Sequence, residues 1–347
     1  MRFHHIANLL AVVLIVLARP AQSLDIEAEK HFPAVFDGAE LHILSTADLD
    51  IFTPIITGFQ HDNPEISVHY TVASSLEVFN AVYTDSGRFD LVISSAMDLQ
   101  TKLVNDGYAQ SYDSSQITGL PDWAGWRNQI FAFTMEPAVL LISKVALDGL
   151  PVPSNRSDLI RILRENPERF RGKIGTYDIR SSGLGYLFAT QDSRSSESFW
   201  QLMELMGQLD VRLFCCSSDM IARVESGELA IAYNVLGSYS NAQTSPLEQN
   251  VQVVSLTDFS TIMVRTALIP ATSKNAAVSG KMIDFLANLD KHPDIIDATG
   301  FSSIKGSNLT GGESLNTIKL GPNLLVFLDK LKRLRFIDAW ESSIEQH

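Results

Sequence analysis

Cysteine is almost missing from this chain. Of 347 residues only Cys215 and Cys216 carry a thiol, and they are neighbours. Two adjacent sulfurs cannot build the framework of cross-links that staples small secreted domains, and no cysteine or histidine pair stands at zinc-finger spacing. They are read as two free thiols, with a strained vicinal disulfide as the alternative in an oxidising compartment. Histidine is absent between His69 and His292, which removes the usual general base from the middle of the chain. The G-x-S-x-G elbow, the P-loop and the H-E-x-x-H pair are absent as well, so no motif points to an enzyme. A hydrolase using Cys215 or Cys216 would have to borrow a histidine from elsewhere in the fold. Basic clusters are lacking too: 27 Lys and Arg face 40 Asp and Glu, a formal charge of −13 that argues against a nucleic-acid partner. No internal repeat or low-complexity segment is found.

What is present begins at the N-terminus. Arg2, His4 and His5 precede the apolar run Leu9–Ala18, and Ala21-Gln22-Ser23 follows as an A-x-A-like cleavage site. Residues 1–23 are expected to be a secretion signal. The run is short for a bilayer span, and no later stretch approaches 18 apolar residues. With no cysteine at the cleavage point, a soluble exported protein in the periplasm is expected rather than a lipoprotein. Removing Arg2 and Arg19 takes the charge to about −15. The remaining residues, roughly 324 of them, exceed what one core usually organises, which predicts two lobes.

Strand and helix patterns alternate along most of the chain. Leu41–Leu44, Ile66–Tyr70 and Phe89–Ile93 read as strands, and each ends in hydroxyl residues ahead of a helical pattern: Ser45-Thr46, Ser74-Ser75 and Ser94-Ser95. Ser74 followed by Glu77 has the form of a capping box. Three strand–hydroxyl–helix units predict an α/β domain with a mostly parallel sheet, whose ligands lie at the carboxyl ends of the strands. Strands at 130–134 and 138–143 flank Met135-Glu136-Pro137, a plausible crossing between lobes. A second α/β set follows over about 155–245. Within it Tyr177–Tyr186 runs from a strand through Ser181, Ser182 and Gly183 into a helix, presenting first-turn amides at the positive end of the helix dipole. Arg180 beside that turn could fork onto a carboxylate or phosphate, or pair with Asp178.

Four stretches in this order carry a resemblance: Ser45–Asp48, Asp90–Met97, Asp178–Tyr186 and Gly227–Asn234. The chain resembles the type II periplasmic solute-binding proteins of ABC importers, in the branch that includes ferric-iron, phosphoglycerate and hexose-phosphate binders. The resemblance covers roughly residues 38–345. It implies a two-lobed fold, each lobe a mostly parallel sheet flanked by helices, with the ligand held in the cleft between. Residues 38–134 with 265–345 would form lobe 1, residues 138–262 lobe 2, and strands near 130–143 and 255–270 the hinge. Iron binders of this branch hold the metal through adjacent tyrosines; here the matching place, Leu236–Asn241, has Tyr239 alone. The expected solute is therefore a small organic anion, with a sugar phosphate or related organophosphate the best match and ferric ion the alternative.

The residues expected at the ligand are Ser45, Thr46, Ser74, Ser75, Glu77, Ser95 and Ala96 from lobe 1. Lobe 2 is expected to contribute Arg180, Ser181, Ser182, Gly183, Ser217, Ser218, Tyr233, Asn234 and Tyr239. Each has an ordinary structural alternative: the serines as helix caps, Arg180 as a surface ion pair, Tyr233 as core. No catalytic residue, resident metal or cofactor is expected. The expected partner is an ABC permease, or a membrane sensor kinase to which the loaded protein is presented, and the protein is expected to be a monomer.

Overall fold

The computed structural model describes residues 24–84, 87–241, 250–305 and 315–345. The expected secretion signal over 1–23 lies outside them. Strands β1 (Ala28–Phe32), β2 (Ala39–Ser45), β3 (Ile66–Val72) and β4 (Leu91–Ser94) are interleaved with helices α1 (Leu49–Asp62), α2 (Ser75–Thr84) and α3 (Met97–Asn105). Short strands β5 (Gly125–Trp126) and β6 (Ile130–Ala132) lead into the long β7 (Thr134–Ser143). Next come α4 (Arg156–Glu165), α5 (Pro167–Phe170), β8 (Ile174–Tyr177), α6 (Gly183–Ser195), α7 (Ser198–Gln208), β9 (Arg212–Phe214), α8 (Ser217–Glu225) and β10 (Ile231–Leu236). The chain closes with α9 (Gly237–Asn241), β11 (Val251–Val254), β12 (Ser260–Met263), β13 (Thr266–Leu268), α10 (Ala276–Leu286), α11 (Pro293–Thr299), β14 (Ser302–Ser303), β15 (Leu315–Thr317) and α12 (Lys330–Ile344).

Two sheets result, as expected for the α/β class. The first has the order β1-β3-β2-β4-β13-β6-β5, with β2 parallel to both β3 and β4. The second runs β15-β12-β7-β10-β8-β9, with β11 and β14 also paired to β7. Amphipathic spacing explains how helices cover the sheets. In α1, Phe52, Ile55, Ile56 and Phe59 fall on one face and are buried in a core shared with Leu41, Ile43 and Phe285. A second core under β7 and β10 gathers Leu159 and Leu163 of α4, Leu202 and Met206 of α7, and Trp340 of α12. A third joins Val92 and Leu103 from the first sheet to Leu187, Met220 and Leu236 from the second, so apolar packing continues beneath the cleft.

The chain passes between the sheets beside β6–β7 and beside β12–β13, where Phe133 N donates to Arg265 O at 3.0 Å. At this crossing Arg265 and Glu136 form a fully buried pair, Nε to Oε1 at 2.9 Å and Nη2 to Oε2 at 3.1 Å. Thr134 and Ser238 also donate hydroxyl bonds to Glu136, so the carboxylate is satisfied without water. A third passage differs from the sequence expectation for 265–345. Residues 266–301 return to the first sheet, but β14 and β15 pair with β7 and β12, and α12 packs on α7. The apolar stripe Phe336, Trp340 and Ile344 explains this placement, because it completes the core around α4 and α7.

Candidate functional site

The strand ends of both sheets meet in one cleft. From the first sheet, Thr46 and Asp48 follow β2, Ala73, Ser74 and Ser75 follow β3, and Ser95 follows β4. From the second, Ser182 follows β8, Cys215 to Ser218 follow β9, and Tyr239 follows β10. The N-terminal ends of α2, α3, α6 and α8 therefore border a common space, and the positive end of a helix favours negative charge nearby. The cavity they line is about 50 Å³. On this measure a water needs roughly 10–15 Å³, so the space as it stands holds only a few waters.

The hydroxyls form a shared network. Ser95 N donates to Thr46 Oγ1 at 3.1 Å, and the two hydroxyls lie 3.3 Å apart. Glu77 N donates to Ser74 Oγ at 3.3 Å, the N-cap half of the expected box; the Glu77 carboxylate instead accepts from Asp25 N at 3.4 Å. Across the cleft Gly183 N donates to Ser75 Oγ at 2.9 Å, tying the start of α6 to the start of α2. Ser182 caps α6 by accepting from Gly185 N at 3.2 Å. Ser217 Oγ accepts from Leu236 N at 3.2 Å and bonds the Tyr177 hydroxyl.

Two acids line the cavity, and among the described residues no lysine, arginine or histidine does. Burial raises the Asp48 carboxyl above its usual range, against hydrogen bonds from Tyr239 and Ser218 and the charge of Arg265. Burial raises Glu27 as well, with Asp48 and Asp25 adding repulsion. The Tyr239 phenol is pushed up by burial and by Asp48. Asp48 N also points at the Tyr239 oxygen, at 3.5 Å.

Eight of the expected residues line this space: Thr46, Ser74, Ser75, Ser95, Ser182, Ser217, Ser218 and Tyr239. The others are placed elsewhere. Ser45 turns its hydroxyl to Ala47 N, and Ala96 packs its methyl against the Gly183 backbone. Ser181 is exposed, and Gly183 spends its amide on Ser75. Arg180 does not line the cavity and is ion-paired instead. Asp178 takes its guanidinium bidentately at 2.8 Å twice, and Glu341 of α12 and Glu345 just after it take the remaining edge. Tyr233 is core, its hydroxyl held between Arg156 Nε at 2.9 Å and Asp192 Oδ2 at 2.8 Å. Asn234 sits at φ 62° in a bulge of β10, a conformation Asn tolerates well, and its amide donates to Asp192.

The free-thiol expectation is also corrected: Cys215 and Cys216 are joined as a vicinal disulfide on the cleft wall. A paired sulfur is no thiolate, so neither residue is placed as a nucleophile. Sequence reasoning missed Glu27 and undervalued Asp48. Asp48 stood in the quoted turn after β2; Glu27 had no local signal, since its place comes from β1 pairing with β3 (Glu27 N to Val72 O, 2.9 Å).

A two-sheet α/β fold with a hydroxyl-lined cleft at the strand ends is that of two-lobed solute binders. The chain belongs to the bacterial extracellular solute-binding protein family, whose model matches residues 88–291. It is a periplasmic-type binding protein of ABC transporters, a class that pairs with membrane permeases and is not enzymatic. The substrate-binding protein of an ABC transporter from Agrobacterium tumefaciens is 31% identical, covering 91% of this chain and 98% of that one, with a TM-score of 0.85. AfuA from Actinobacillus pleuropneumoniae, solved with fructose-6-phosphate, is 13% identical over 89% of this chain and 99% of its own, TM-score 0.71. The apo ferric ion-binding protein A of Pasteurella haemolytica is 17% identical over 88% and 96%, TM-score 0.63. At such identities the last two show a shared fold. No curated protein matches the chain in sequence. Among the described residues no helix is long and apolar enough to cross a membrane.

Proposed function

We propose that the cleft takes a small organic anion, with a sugar phosphate or related organophosphate the best fit, and that the loaded protein hands it to an ABC permease. The observation that carries this reading is the convergence of four helix starts, with Ser75, Ser95, Ser182 and Ser218 at or just before them, on one cavity. Each charge-assisted hydrogen bond from such amides and hydroxyls contributes about 1.5–3 kcal/mol when water is excluded. Glu27 and Asp48 then accept from the hydroxyls at the uncharged end of the solute. The two acids also favour a second reading, an anion that carries an amine, because an ammonium would neutralise carboxylates that no cation lines. Ferric ion is the weaker reading, since among the described residues Tyr239 is the only phenol on the cavity wall. Lobe closure would turn about the paired crossings at 132–134 and 263–266, with 28–84, 87–132 and 266–301 in one lobe and 134–241, 250–263, 302–305 and 315–344 in the other.

A thermal-shift screen followed by calorimetry tests this. Sugar phosphates, phosphoglycerates, inorganic phosphate, amine-bearing phosphate esters and carboxylates, and neutral sugars form the panel. A ligand at a hundred times its Kd adds about 2.7 kcal/mol of stability, which a melt reads easily. Shifts confined to neutral sugars would sink the anion reading. A shift with amine-bearing anions alone would favour the second.

A further inference from the structure

Four side chains on the outer face of the first sheet have no part in the cleft. In the registers of β1, β3 and β2, His31 stands opposite His69 and His69 opposite His42, so three imidazoles form a row across three strands. Their ring centroids are 4.1 Å and 4.7 Å apart and nearly parallel. Glu40 spans the row from β2: one carboxylate oxygen lies 2.7 Å from His69 Nε2, the other 3.1 Å from His42 Nε2. One ligand atom each from His31, Glu40 and His69 lie within 4.8 Å of one another. His42 is three residues before Ser45 on the same strand, about 10 Å from the cleft end at a strand rise of about 3.3 Å per residue.

Cross-strand stacking alone would explain three histidines in register, but not a carboxylate bonded to two of them with the third within coordinating reach. We infer that His31, His69 and Glu40 form a binding site for a borderline divalent transition metal ion such as Zn²⁺, Ni²⁺ or Cu²⁺. Two imidazole nitrogens and one carboxylate oxygen are a donor set that these ions accept, with water completing the coordination. His42 holds the second oxygen of Glu40 and so orients the carboxylate as an outer partner. The ion would clasp the edge strand β1 to β2 and β3. The segment just before β1 carries Glu27 into the cleft, so the clasp would also steady that wall.

The test uses untagged protein stripped with EDTA and titrated with Zn²⁺ and Ni²⁺ by calorimetry, with Cu²⁺ followed by electron paramagnetic resonance. The expected result is one ion per chain, nitrogen couplings from two imidazoles, and a melting temperature raised by metal. His31→Ala and His69→Ala should each abolish measurable binding. Glu40→Gln keeps the shape and should weaken it strongly, and His42→Ala should weaken it about tenfold. His61→Ala, on α1 with a side chain 87% exposed, should bind like the parent. Absence of binding, or binding retained in a folded His31→Ala/His69→Ala protein, overturns the assignment.

Discussion

Gly183 is where closure of the cleft can be weighed. It opens α6 outside the left-handed region, so the backbone accepts a side chain, yet a Cβ there would lie 2.7 Å from Leu99 Cδ1, 2.9 Å from Ser75 Oγ and 3.3 Å from the Ala96 methyl. All three belong to the opposite sheet's helices. A substitution therefore obstructs the approach of α6 to α2 and α3 without disturbing either sheet's own core. Alanine meets two atoms that can swing aside, so its cost is mainly the Ser75 bond, about 0.5–1.5 kcal/mol. Valine adds overpacking of about 1–3 kcal/mol. The closed form should thus lose roughly tenfold to a thousandfold in population in Gly183→Val. Small-angle scattering should show an expanded unliganded protein, and calorimetry with whichever solute the screen identifies should show affinity reduced by a similar factor. Circular dichroism should match the parent. If Gly183→Val scatters as compactly as the parent and binds as tightly, the contact seen between Ser75 and Gly183 is not what closes the cleft.

Asp98, buried at the start of α3 with Oδ1 lacking a partner, has its carboxyl pushed up to about 7 by burial. Because the folded pKa is raised, its contribution is fully present below the unfolded value near 3.9 and is lost as pH rises through about 7; Asp98→Asn should raise the melting temperature at about pH 8 and leave it unchanged near pH 4. A variant no more stable at the higher pH would refute the buried charge. Thiol titration of unfolded but unreduced protein should find no reactive sulfur, and two after reduction; two reactive thiols before reductant would contradict the Cys215–Cys216 bond. Loading with ferric ion should leave a colourless protein with no stoichiometric iron, since among the described residues the cavity wall offers one phenol and no tyrosine pair; a charge-transfer band that vanishes in Tyr239→Phe would instead make iron the cargo.

Much of this molecule could be read from local pattern. Strands ending in serine or threonine before an apolar helical repeat placed Thr46, Ser74, Ser75, Ser95, Ser182 and Ser218 at a common cleft, because parallel sheets bring strand carboxyl ends to one edge. Side-chain destinations set by distant partners could not be read this way. Arg180 had a local reason to meet an anion and a stronger one not to: α12, some 160 residues on, delivers Glu341 and Glu345 to it. The same long-range packing carries α12 to the second sheet, buries Tyr233 between Arg156 and Asp192, and sets Glu27 into the cleft through β1. The elements, their order and the hydroxyl-rich helix starts follow from local pattern, since propensity, capping and periodicity act over a few residues. Which of those groups line the cleft and which are spent on one another depends on pairings between segments far apart in the chain, so it is visible in the folded molecule alone.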